Sequence, residues 1–436
     1  MSRHLLDAVA DAHRAGNGVG VASICSAHPL VLDETVRHGV DGGHTVLIEA
    51  TCNQVNQDGG YTGLRPSDFI REVRAMAERH GLAPERLVLG GDHLGPNPWK
   101  HLPAETAMAK SEELVAAYAS AGYTKLHLDT SIRCGDDPPG ALAPSLVAER
   151  AARLAVVAEQ TASAGATDIR YVIGTEVPVP GGESTGEHGI HVSTADDVAE
   201  TIEVTKLAFA AAQVPGAFDR VRAVVAQPGV EFSDQELYVY TPGQAEHLAP
   251  CLTDEVPLVF EAHSTDYQSH SALKALVADH FAILKVGPGL TFAYREALFG
   301  LSFIEDELLG PKASGVRAAL DTAMLNDPHH WRPFYPADPF AAAYARRFSR
   351  SDRSRYYWPV ADVQRAVSRM HANLKGSGLP DELVSQYLPW ILGVEVPGSS
   401  PADVLGQELT PESVLRAAIR RVLNVYASAT GPSESR

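Results

Sequence analysis

The chain has 436 residues, 45% of them hydrophobic and 21% charged, enough material for a large core. Its formal net charge of -18 excludes nonspecific electrostatic binding of nucleic acid or of an anionic membrane surface, because the long-range field repels both. Four cysteines, Cys25, Cys52, Cys134 and Cys251, show neither CxxC spacing nor disulfide density, which suits a reducing compartment.

The amino terminus, Met1 to Gly18, reads as a charged helix without the apolar stretch of a signal sequence. Nowhere do apolar residues run long enough to span a bilayer, so the chain is expected to be cytoplasmic. Short apolar or β-branched runs then recur at Val19 to Cys25, Thr45 to Ala50, Leu87 to Gly91, Lys125 to Asp129, Ile169 to Thr175, Arg222 to Gln227, Leu258 to Ala262 and Ala282 to Val286. Helix starts lie between them, at Pro29, at Pro66-Ser67-Asp68, after Pro103, at Ser193 to Asp197 and near Ser271. Strands alternating with helices predict a parallel sheet with crossover connections, and eight of them predict an α/β fold of the closed (β/α)8 TIM-barrel type over residues 1–310. From Pro311 the pattern changes to an aromatic and basic stretch, His329 to Trp358, and to helical periodicity in Val360 to Leu374 and Pro411 to Ala427. We read residues 311–427 as a mainly helical extension packed on the barrel or over its mouth, and 428–436 as a disordered tail.

Barrel enzymes place their chemistry at the carboxyl ends of the strands, and polar residues gather there in this chain. Ser26 and His28 follow the first strand, Asn53 and Gln54 the second, Asp92-His93 the third, and His127 and Asp129 the fourth. Glu176 follows the fifth, Gln227 the sixth, Glu261, His263 and Ser264 the seventh, and Lys285 and Gly287 the eighth. Strand alternation places Glu261 and His263 on one side, facing the barrel mouth with His93. These three are the candidate ligands of a divalent metal, Zn²⁺ or similar, acting on a sugar carbonyl; a hydrogen-bonded network that orients substrate without metal is the alternative. Lys285 with the Gly287-Pro288-Gly289 turn is the candidate phosphate site, since backbone N–H groups at a helix amino terminus stabilise an anion. Arg355, in Arg355-Tyr356-Tyr357-Trp358, is the candidate cap from the extension, with a docking surface between extension and barrel as the alternative. The polar loop Gly181 to His191, with His188 and His191, is either a lid over the mouth or a solvated connection.

Several of these segments carry a likeness to a known family. They are Cys25-Ser-Ala-His-Pro29, Ile48-Glu-Ala-Thr-Cys-Asn-Gln-Val-Asn-Gln57, Gly90-Gly-Asp-His-Leu-Gly-Pro-Asn97, Gly174-Thr-Glu-Val-Pro-Val-Pro-Gly-Gly182, Phe260-Glu-Ala-His-Ser-Thr-Asp-Tyr267 and Leu284-Lys-Val-Gly-Pro288. With Arg355-Tyr-Tyr-Trp358 they closely resemble the tagatose-bisphosphate aldolase Z-subunit family (GatZ/KbaZ-like) over nearly the whole chain. The resemblance implies a barrel related to the metal-dependent class II aldolases. It also implies either a noncatalytic, stabilising partner of a catalytic aldolase subunit or an epimerase that inverts C4 of a ketohexose phosphate. Asp92-His93 resembles the aldolase pair in which the Asp is the acid/base and the His a metal ligand. The other two aldolase ligands are histidines, near whose places this chain carries Gln227 and either Glu261 or His263, so aldolase activity by this chain alone is not expected.

The implied substrate is a ketohexose or its phosphate, and a homo-oligomer stays open. Asp92, Asp129 and Glu176 are the candidate catalytic carboxylates. Ser26, Asn53, Gln54, Gln227, Ser264, Lys285, Gly287 and Arg355 are the candidate substrate contacts.

Overall fold

The structure, a computed structural model, describes residues 3–165, 168–174, 190, 192–252, 257–392 and 409–431. Each predicted apolar run forms a strand: β1 (Val21–Ile24), β2 (Val46–Thr51), β3 (Leu87–Leu94), β4 (Lys125–Leu128), β5 (Arg170–Ile173), β6 (Val221–Val225), β9 (Val259–Ala262) and β10 (Phe281–Val286). A two-stranded ribbon, β7 (Glu231–Phe232) with β8 (Leu237–Tyr238), follows the sixth barrel strand. The eight long-range strands pair in parallel in the order β1-β10-β9-β6-β5-β4-β3-β2 and close on themselves. The predicted (β/α)8 barrel is therefore the observed one.

The inside of the barrel is layered, as period-2 alternation requires. The helix α1 (Leu5–Arg14) plugs the amino end, and Leu6, Val9 and Ala10 pack there with Val21, Leu47, Val88, Val172, Ala223, Val259 and Ile283. Two residues further along the same strands the inward side chains change character, to Ser23, Glu49, Lys125, Glu261 and Lys285, all buried. A second period on, His127 and His263 face the mouth. At the opposite end Arg170 and Arg222 hold Asp7 of α1, which fastens the plug.

The outer ring begins with α2 (Pro29–Gly42), α3 (Pro66–His80), α4 (Ala104–Ala121), α5 (Pro144–Gly165) and α6 (Ala195–Ala211). After the one-turn α7 (Pro215–Phe218) come α8 (His270–Ala278) and α9 (Pro288–Leu309). The extension contributes α10 (Val316–Asn326), α11 (Pro339–Phe348), α12 (Ala361–Ser377), α13 (Asp381–Tyr387) and α14 (Pro411–Thr430).

The last helix does not sit apart from the barrel. It packs against α2, α8, α9 and β1, taking a place in the ring itself. Arg416 and Arg420 reach the buried Glu34 of α2, and Arg416 also bonds Asp33 at 2.8 Å. The tail expected to be disordered from Ser428 differs at its start. The helix runs on to Thr430, whose carbonyl accepts the Gly20 N–H at 2.9 Å where β1 begins; residues 432–436 lie outside the described residues. No helix among the described residues is long and apolar enough to cross a membrane.

Candidate active site

An ion network forms the floor of the barrel mouth. Lys125, fully buried, bridges Glu49 at 2.6 Å and Glu261 at 2.7 Å. Lys285 bonds Asp92 and lies 3.2 Å from Glu261 and 3.5 Å from Glu49. Burial opposes the Lys285 ammonium, but Asp92, Glu261 and Glu49 outweigh it and hold its pKa well above the usual value. Burial likewise pushes the Asp92 carboxyl up, and His93, Lys285 and His127 overcome it, so Asp92 stays ionised.

Alternation alone cannot send the adjacent residues Asp92 and His93 into one site. A register shift in the β3 to β4 pairing between Gly91 and Leu94 forms a bulge there, and His93 sits at φ 48, a left-handed conformation uncommon for a residue with a side chain. The bulge turns both side chains toward the mouth.

Three imidazoles then meet. The His93 ring centroid lies 5.1 Å from that of His127 and 4.9 Å from that of His263, and His127 and His263 are 5.2 Å apart. Each is held through one nitrogen by its own carboxylate: His93 Nδ1 by Asp129 at 2.7 Å, His127 Nδ1 by Asp92 at 2.8 Å, and His263 Nε2 by Glu261 at 3.1 Å. Among the described residues the other three ring nitrogens make no hydrogen bond; His93 Nε2 lies 3.7 Å from Asp92 Oδ2, and His127 Nε2 is buried without any partner. Donor atoms of Asp92, His93, His127 and His263 lie within 4.8 Å of one another. Burial and the Lys285 charge push the His263 pKa down to about 3, so that ring is neutral. Burial lowers His93 as well, but Asp92 and Asp129 outweigh it and raise its pKa.

Above this floor opens a cleft lined in part by Asp92, His93, His263 and Lys285 from the barrel and by Arg355 and Tyr356 from the extension. Of the residues singled out by sequence, Asn53, Gln54, Ser264, Gly287 and Arg355 also line it. Others are placed differently. Ser26 lines a neighbouring chamber beside His28, whose backbone N–H its hydroxyl accepts at 3.3 Å. Gln227 is turned into its own loop, where its side-chain oxygen accepts the N–H groups of Gly229 and Val230. Glu261 lies outside the donor cluster, its oxygens taken by Lys125, Lys285 and His263, and His127 and Asp92 stand with His93 and His263 instead. Asp129 faces His93 and Ser131 rather than the cleft. Glu176 and the loop with His188 and His191 lie outside the described residues.

The phosphate reading of the eighth strand end meets a physical obstacle. The N–H groups of Gly287 and Gly289 at the start of α9 already donate to Asp266 Oδ1, at 3.0 and 2.7 Å, so a carboxylate of the chain occupies the anion position. Lys285 is committed to three carboxylates. The sequence pattern does not single out Lys125 as the central cation, and it places His127 at the end of the fourth strand without giving it a role. Their spacing of two within β4, on the barrel's inner face, was the available signal.

The family described as D-tagatose-1,6-bisphosphate aldolase subunit GatZ/KbaZ-like matches residues 6–431. The chain is 49% identical over 379 residues to the D-tagatose-1,6-bisphosphate aldolase subunit GatZ of Salmonella enteritidis PT4, covering 86% of this chain and 89% of that one. The GatZ subunit of Klebsiella pneumoniae shows the same identity and coverage. A crystal structure from Sinorhizobium meliloti 1021, described as a probable tagatose 6 phosphate kinase, superposes with a TM-score of 0.83 at 45% identity, over 94% of this chain and 100% of that one. With its closed barrel, its clustered imidazoles and this likeness along its length, the chain belongs to the GatZ/KbaZ-like family of tagatose-bisphosphate aldolase subunits.

Proposed function

We propose that this chain binds a ketohexose phosphate in the cleft and inverts C4 by breaking and re-forming the C3–C4 bond, interconverting tagatose and fructose phosphates. The observation that supports it is the trio of imidazoles, each oriented by its own carboxylate and each with one ring nitrogen unbonded. A purely structural polar core would satisfy His127 Nε2, because an unmade buried hydrogen bond costs about 1–3 kcal/mol. Carboxylate-oriented histidines with free nitrogens are the donor set of a divalent metal such as Zn²⁺. In charge, too, the floor would suit a dication: once ligation has taken the proton that Asp92 and Asp129 favour on His93, the carboxylates of Glu49, Asp92, Asp129 and Glu261 outnumber the ammonium groups of Lys125 and Lys285 by two. His93, His127 and His263 would hold the ion, which when bound supplies Lewis-acid polarisation of a sugar carbonyl.

The residues of the chain supply the rest. A hydrogen on C4 of a ketose lies β to the carbonyl and is not acidic, so inversion there takes either transient oxidation or the breaking of a carbon–carbon bond; no Gly-x-Gly-x-x-Gly follows a strand to hold a nicotinamide, which favours the second. Cleavage needs a base for the O4 proton. Asp92, ionised and lining the cleft, is that base, while Asp129 and Glu261 keep His93 and His263 in orientation. The purified chain with Zn²⁺ should convert tagatose 6-phosphate to fructose 6-phosphate, and His127→Ala should abolish both turnover and the rise in unfolding temperature that Zn²⁺ confers. Absence of turnover across phosphorylated and free ketohexoses would sink the reading.

A second reading, a subunit that stabilises a catalytic aldolase, is supported by the relatives' names and by an uncovered apolar stripe on α11. Phe340, Tyr344 and Phe348 follow one another at four-residue spacing and are 83%, 51% and 43% exposed. Coexpression with a catalytic aldolase subunit should raise that enzyme's stability, and Phe340→Asp should remove the gain.

A further inference from the structure

Inversion at C4 places a demand on the site that simple aldol cleavage does not. When the aldehyde turns its other face toward the enediolate, O4 takes up the place that the C4 hydrogen held. One base fixed at the first position cannot serve the second, so an epimerase of this kind needs two proton-transfer groups on different sides of C4.

We infer that Tyr356, carried by the extension, is the second acid/base of this site, acting on O4 from the mouth of the cleft while Asp92 acts from its floor. This rests on the C4-inversion reading above. Tyr356 lines the same cleft as Asp92, His93 and His263. Its hydroxyl oxygen accepts a hydrogen bond from Arg355 Nη2 at 3.0 Å. Its ring is fixed from two sides, stacked on His330 at 4.4 Å with 5° between the planes and met edge-on by Tyr61 at 4.6 Å. A phenol so clamped holds its oxygen in one place, which is what general acid/base catalysis requires.

The cleft holds a second tyrosine for comparison. Burial pushes both phenols up in pKa. At Tyr61 burial prevails and the pKa is raised, whereas at Tyr356 the guanidinium groups of Arg355 and Arg353 outweigh it and the pKa falls below the usual tyrosine value. Two like groups in one site with protons held differently mark which of them transfers a proton.

The step balances without a further reactant. Asp92 takes the O4 proton as the C3–C4 bond breaks, leaving an aldehyde and an enediolate. After the aldehyde has turned, the bond re-forms and the new O4 alkoxide takes the proton of Tyr356. Asp92 releases its proton to water and the tyrosinate regains one, with no electrons gained or lost.

Tyr356→Phe keeps the ring, its stack and the two backbone carbonyls that also bind Arg355, and removes only the hydroxyl. With tagatose 6-phosphate as substrate, formation of fructose 6-phosphate should fall by about 10²- to 10⁴-fold. Trapping of the glyceraldehyde 3-phosphate intermediate in a single turnover, followed by a coupled dehydrogenase assay, should persist, so the ratio of cleavage to inversion rises, with the unfolding temperature unchanged. Equal loss of cleavage and inversion would reduce Tyr356 to a positioning role, and full inversion by the variant would remove the inference while leaving the epimerase reading intact. Wild-type protein that neither inverts nor cleaves would remove the reading, and this inference with it.

Discussion

Lys125 is the residue on which the barrel floor turns. It is wholly buried, at a strand position that in most barrels holds an aliphatic side chain, and it faces two carboxylates that are themselves wholly buried. Replacing it by Met would leave Glu49 and Glu261 to share Lys285, which already serves Asp92. Breaking a buried ion pair from one side costs about 3–5 kcal/mol, so Lys125→Met should lower the urea midpoint by that equivalent. A loss below about 1 kcal/mol would mean that Lys285 alone can neutralise the floor. Asp92 is more exacting still, since its carboxylate accepts from Lys285, His127 and the His93 backbone at once. The same residue therefore carries both stability and the proposed chemistry, and Asp92→Asn tests both together.

At the scale of elements, α14 is the part whose role could not be guessed from its place in the chain. Its amino end is closed by a capping box in which Thr410 accepts the Ser413 N–H at 3.1 Å and Ser413 accepts the Thr410 N–H at 2.9 Å. Removing such a cap costs about 1 kcal/mol. Thr410→Ala should lower stability by that amount in chemical denaturation, and because α14 packs against β1 the loss should appear in the unfolding of the whole barrel. A separate, earlier transition would show instead that the helix is only loosely joined to the ring. The bulge in β3 is the other decisive element, since without it Asp92 and His93 would point to opposite faces of the strand.

For the molecule as a whole, acid stability follows from carboxylates that tie distant parts together. Burial pushes Asp7, Asp33 and Asp129 up, but their partners outweigh it: Arg170 and Arg222 for Asp7, His80, Arg416 and Arg79 for Asp33, and His93 for Asp129, which leaves each pKa at about 2. Each is thus depressed relative to the ordinary aspartate value of 3.8. A group with a lowered folded-state pKa contributes stability that is complete above its unfolded value and is lost as pH falls through the folded one. The unfolding temperature should therefore drop steeply between about pH 4 and pH 2. Asp33→Asn should flatten that fall, and an unchanged profile would remove Asp33 from the account.

The residues alone determined the barrel. Eight apolar runs separated by helix starts admit few other ways of burying their surface, and period-2 alternation within Val259–Ala262 and beyond already put Glu261 and His263 on one face. Local patterns could not decide what those side chains bind, because partners 36 and 76 residues apart, such as His93 with Asp129 and Glu49 with Lys125, become neighbours only when the sheet closes. Closure turned Glu261 from an expected ligand into a partner of lysines, filled the expected phosphate position with Asp266, and drew α14 into the ring. Strand order and inward direction are properties of short segments, whereas the neutralisation of a buried charge depends on which segments the fold brings together.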